Sequence, residues 1–259
     1  DEAYFRSSPS DPLYKAAYYP HNIHFLMVSA QLGGDGAAAI AAAAKLDAAM
    51  PAEVVAQFAI MQPVKAAPYT THAQFSAPDT ILALPAPPAN LALVAAMHHY
   101  ARAVAYAQKK DAASARGEID ALARIERETD FKPFAEWGVP AKEIVATARL
   151  VATARLAAAN GDLDGAAKAY EEAIFIEDAL AYMEPPYWYY PLRQSLGAVR
   201  LDQGRLDEAE AAFRESLARV RNNGWALAGL AETYRRRGDA AGEQAARRSF
   251  ANAWFGPAG

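Results

Sequence analysis

The chain has 259 residues, of which 53% are hydrophobic and 22% charged, so it can bury a sizeable core and is not a disordered polymer. It contains no cysteine, which excludes disulfides, thiolate metal sites and cysteine nucleophiles. A formal net charge of −4 gives no global attraction for nucleic acid. Alanine makes up a quarter of the chain, and its high helix propensity and small side chain predict many closely packed helices.

Taken in chain order, the first predicted helical hairpin covers 20–50. Pro20 suits a first helical position, which puts His21 and His24 in the opening turn. Gly33-Gly34-Asp35 makes the turn, and Ala39, Ala43 and Leu46 mark the second helix. The span 51–95 reads as a helix from Ala52 to Met61 followed by an irregular Pro-rich insertion. Its longest apolar stretch, Ile81 to Met97, carries Pro85, Pro87, Pro88 and Asn90, which argues against a membrane-spanning helix. A second degenerate hairpin covers 96–127, with His99 at the start of its first helix, and Asp130 to Pro140 reads as a linker around Trp137.

Three clearer hairpins follow, over 147–180, 190–223 and 224–257. Their turns are Gly161-Asp162, Gly204-Arg205-Leu206-Asp207 and Gly238-Asp239, each opened by a glycine that can take a left-handed backbone. Gly204 and Gly238 are 34 residues apart; Gly161 and Gly204 are 43 apart, and the extra nine fall on 181–189. Ala209 is small where two helices cross and Phe213 fills the space one turn later; Ala166 and Tyr170 repeat the pair. The expected fold is all-α: a single solenoid of helical hairpins over 1–259, with a last helix ending at Trp254-Phe255 that caps the stack and turns an outer face to water.

This 34-residue helix–turn–helix unit, with Leu196-Gly197, Gly204, Ala209 and Phe213, resembles the tetratricopeptide repeat. The resemblance implies a right-handed superhelix that holds partners on its concave face. Asp178 and Arg221 stand where that pattern usually has proline, so those junctions are atypical. The strings YYPHNIHFL from Tyr18, HHYARAVAY from His98 and MEPPYWYYPLRQSLGAVRLDQG from Met183 look like a group of uncharacterised bacterial tetratricopeptide proteins. That group carries further helical repeats and histidines upstream. By this resemblance the chain is a C-terminal part of a longer protein, and Asp1 falls inside the second helix of a preceding repeat. The group brings no activity with it.

The leading functional reading is a non-enzymatic scaffold that takes a protein or peptide on the concave face. Arg193, Trp225, Glu232, Arg235 and Arg236 are its candidate contacts, with Trp188 from the aromatic run Tyr182, Tyr187, Trp188, Tyr189, Tyr190. The region from Tyr190 onward has a net charge of +3 and the remainder −7, so a basic groove for an acidic peptide or a carboxylate is one reading. Dipole-favoured arginines at helix ends are the plainer one. The aromatic run reads first as packing between repeats around the insertion, and second as a wall gripping a peptide.

The alternative function is a metal-binding protein. His21 and His24 share a helix face, the helix dipole favours their neutral form, and together with His99 they suit Zn or Cu, with Glu, Asp or residues upstream of this chain completing the set. Packing histidines are the plainer explanation, and no other cofactor is implied. A third reading is a homodimer that buries the aromatic excess. No G-x-S-x-G, Gly-rich phosphate loop or H-E-x-x-H is present, so no enzyme signature stands out. The expected protein lacks a transmembrane segment, binds no nucleic acid, and resides in the cytoplasm or periplasm of a bacterium.

Overall fold

A computed structural model describes residues 1–7, 12 and 14–257. Among them are fifteen α-helices and no strand. A short α1 (Glu2–Ser7) precedes the pair α2 (Tyr19–Gly33) and α3 (Gly36–Ala49), then α4 (Ala52–Val55), α5 (Gln62–Phe75) and α6 (Pro78–Leu82). The pair α7 (Ala92–Gln108) and α8 (Ala112–Glu128) is followed by the short α9 (Lys132–Ala135). Then come the pairs α10 (Ala141–Ala159) with α11 (Leu163–Ala179), α12 (Arg193–Asp202) with α13 (Leu206–Arg219), and α14 (Gly224–Arg237) with α15 (Ala240–Ala253). Each long helix packs on its sequence neighbour and on the next pair, which makes the molecule an all-α solenoid of helical hairpins.

The same chemistry turns the chain at successive hairpins. Gly34, Gly161, Gly204 and Gly238 have φ between +74° and +81°, a region that costs glycine nothing and closes the preceding helix. Lys110 takes that conformation between α7 and α8, at φ +58°. The carboxylates of Asp35, Asp111, Asp162 and Asp239 then each accept a backbone N–H three residues on, at 2.9–3.0 Å. Each thereby answers one of the orphan donors that open a helix.

The span 51–95 departs from its expected irregularity. α5 is a full helix of 14 residues that contains Pro68, and Pro63 sits in its first turn. Pro63 loses nothing there, because a first-turn N–H has no intrahelical acceptor. Pro68 forfeits one helical bond, but Ala66, Ala67 and Pro68 itself are buried, and packing of α5 on α3 and α7 offsets the loss. The Gln62 side chain also accepts the Leu93 N–H at 3.1 Å, tying α5 to the start of α7. His99 lies in the middle of α7 rather than at its start, since that helix begins at Ala92.

The core is divided. A large apolar cluster runs from Ile23 to Val199 and contains the fully buried Met27, Leu46, Tyr100 and Leu122. A small one, Leu201, Ala209, Phe213, Ala226, Leu230, Ala231, Tyr234 and Ala246, holds the last two pairs together.

The two ends of the solenoid meet. The Trp225 indole N–H on α14 donates to the Gln31 carbonyl on α2 at 2.8 Å, and the Phe255 N–H donates to the Gly33 carbonyl at 2.8 Å. Trp254 lies so close over Gly34 that an added Cβ there would come within 2.2 Å of its ring. The expected cap is therefore corrected in part: α15 turns most of its surface to water, but the segment after it docks on the first pair. Among the described residues no helix is long and apolar enough to cross a membrane.

Candidate functional site: an interior cavity walled by the aromatic segment

The closed ring leaves a half-open pocket, bordered by the segment between α11 and α12. Trp188, Tyr189 and Tyr190 are buried, whereas Tyr182 is 85% exposed. Trp188 meets Tyr100 of α7 edge-on at 5.3 Å, and the Tyr100 and Tyr189 hydroxyls bond at 2.8 Å. Tyr189 and Tyr190 pack edge to face at 4.7 Å. The packing reading accounts for these three rings, since they belong to the large core cluster. Burial raises the Tyr100 and Tyr189 pKa values, so neither phenol is primed as a base.

The segment does not fill the space. A cavity of about 560 Å³ remains between it and α2, within the ~300–1,000 Å³ typical of ligand sites. Phe25, Val28, Ser29 and Leu32 form one wall; Leu180, Pro185, Pro186, Trp188 and Val220 contribute to the others, and Glu177 and Arg219 supply charge. Burial pushes the Glu177 carboxyl up to about 7 even though it accepts the Leu192 N–H at 3.1 Å. The Trp188 indole N–H is buried and has no acceptor among the described residues, a cost of roughly 1–3 kcal/mol if left unmet. Such a pocket has room for an apolar group.

The residues expected to form an open groove are engaged within the chain. Arg193 is clamped by Asp178 at 2.6 Å, Glu215 at 2.8 Å and Glu177 at 3.7 Å, bridging three consecutive helices. Glu232 holds both Arg235 at 2.6 Å and Arg236 at 2.8 Å, and their guanidinium groups pull its carboxyl down to about 2. Arg236 also donates to the Leu201 carbonyl at 2.8 Å. Trp225 is spent on closing the ring. Trp188 alone of the six lines the cavity.

The three histidines do not come together. His21 is exposed at the start of α2, while His24, one turn on, is buried and its pKa is pushed down to about 4 by burial. His99 is held by Glu118 of α8 at 2.6 Å, and Glu118 also binds Arg102 at 2.7 Å. Among the described residues no group of three or more His, Asp or Glu side chains is placed to hold a metal ion. The residues His21, His24 and His99 are thus a pair in the first turns of α2 and a separate histidine hydrogen-bonded to Glu118.

The α2 wall escaped sequence reasoning, although its signal is present. Phe25, Val28, Ser29 and Leu32 follow the 3–4 spacing of a helix face, while Ile23, Met27 and Gln31 supply the buried face. A helix with two such stripes has two neighbours to meet. Comparison with protein-family models, curated proteins and solved structures returned no match to this chain.

Proposed function

We propose that this protein is a non-enzymatic binding module of tetratricopeptide-like helix pairs that receives an apolar side chain of a peptide partner in the interior cavity. The observation that carries this reading is the largely apolar pocket of about 560 Å³ between α2 and the segment 180–191. An apolar side chain of the peptide suits Phe25, Val28 and Leu32. Glu177 and Arg219 at its border are already engaged, by the Leu192 N–H and by Asp178, so the apolar wall carries the recognition. This reading puts the contact at the pocket instead of the expected arginine stripe, whose guanidinium groups are paired with carboxylates of the same chain.

The test is selection from a displayed random-peptide library, compared between the wild type and Val28→Trp, which fills the chamber from α2. Selected peptides should share an apolar anchor and lose at least tenfold in affinity for the filled variant. Peptides that bind both proteins equally would overturn the reading.

A further inference from the structure

Between α6 and α7 the chain runs Leu84-Pro85-Ala86-Pro87-Pro88, in neither helix nor strand. Every residue of this strap is a proline or precedes one. Proline fixes its own φ, and a residue before proline is pushed out of the α region. Both effects favour polyproline II, an extended helix of about three residues per turn whose backbone makes no internal hydrogen bonds.

Burial along the strap follows that period. Leu84 and Pro87 are partly buried, whereas Pro85, Ala86, Pro88 and Ala89 are exposed. One ridge thus lies on the molecule, with Leu84 packed against the large core cluster, and the ridges of Pro85 with Pro88 and of Ala86 with Ala89 face water. Both ends are fixed. Ile81 and Leu91 are fully buried, Arg102 of α7 donates to the Leu82 carbonyl at 3.3 Å, and the Leu91 N–H donates to the Pro88 carbonyl at 3.0 Å. The carbonyls of Pro85, Ala86 and Pro87 accept no hydrogen bond among the described residues. From Thr80 to Met97 no side chain is charged.

We infer that the strap from Leu84 to Pro88 is the ligand of a partner domain whose groove is lined by aromatic side chains. Such a groove seats a polyproline II ridge between its rings, and Tyr O–H or Trp N–H donors on its rim meet the free carbonyls. The conformation is set before binding, so docking forfeits little chain entropy. With no charge on the strap, the partner needs no ionic pocket beside the groove. The proposal does not rest on the peptide reading, because no residue from Leu84 to Ala89 lines that pocket.

The test titrates the whole protein by calorimetry into purified SH3, WW and EVH1 domains, each of which reads polyproline II through an aromatic groove. At least one should bind the wild type saturably. The double variant Pro85→Ala, Pro88→Ala should lose about tenfold or more in affinity. Its unfolding midpoint should not move, since both side chains are exposed. Pro51→Ala, an exposed proline elsewhere, should bind like the wild type. A free peptide of residues 83–90 should bind more weakly than the intact protein. No saturable binding to any of the domains, or equal binding by the wild type and the double variant, would overturn the proposal. So would a free peptide that binds at least as tightly as the intact protein, because the fold would then present nothing.

Discussion

The two larger core clusters are built on different economies of residue. In the large one, alanines let helices approach closely, and Met27, Leu46, Tyr100 and Leu122 fill the gaps. In the small one, Phe213 packs directly over Gly197 of α12 and Gly229 of α14, with Leu201, Leu230 and Tyr234 around it. The surface compensates: Arg237 bridges to Asp207 and Glu210 on the preceding pair, and Arg200 reaches back to Glu171 and forward to Glu208. Adjacent repeats can thus be joined by volume or by charge, and this molecule does both in one chain.

The sharpest way to break that comparison is Phe213→Ala. Loss of a nearly fully buried aromatic ring should cost roughly 3–5 kcal/mol, read by chemical denaturation. A cost under about 1 kcal/mol would mean that ion pairs, not the small core, hold the last two pairs.

A smaller effect sits at the joint between the regions. Glu177 has a folded pKa of about 7 against an ordinary 4.5, so the folded state binds its proton more tightly than the unfolded chain does. Its share of stability is full below pH 4.5 and is lost as pH rises through 7, by about 1–3 kcal/mol. His24 works in the opposite sense. Its pKa is lowered from 6.5 to about 4, so its share is full above pH 6.5 and is lost as pH falls toward 4. Stability measured against pH should lose its downward slope toward pH 7 in Glu177→Gln and keep the acid-side loss due to His24. An unchanged slope in that variant would place the titrating group elsewhere.

The smallest expected effect is Arg235→Ala. Its guanidinium is half exposed and shares Glu232 with Arg236, so the unfolding midpoint should stay within the scatter of repeat measurements. A clear shift would show that the charged surface acts as one network.

Local signals made much of the fold legible. A glycine followed by an aspartate marked the hairpins at Gly34, Gly161 and Gly238, because one residue supplies a left-handed backbone and the next caps the following helix. α5 was hidden because Pro63 and Pro68 read as breakers, and only tertiary packing reveals that the helix survives them. The site was less legible. Arg193 looks like a groove residue along the chain, since a single sequence does not show that Asp178 and Glu215 on the neighbouring helices answer it, whereas Glu232, which answers Arg235 and Arg236, stands one turn before them on the same helix. The bond between Trp225 and Gln31 spans 194 positions and depends on rotation accumulated over every pair between them.

That closing bond sets a counting rule. An open superhelix can gain or lose a helix pair at either end and keep its shape. Here the last pair must arrive at Gly34 with the right rise and rotation for Trp254 to cover it. One pair more would carry the tryptophans past α2, and one fewer would leave them short. The closing contacts therefore tie the number of helix pairs to the meeting of α14 and the segment after α15 with α2.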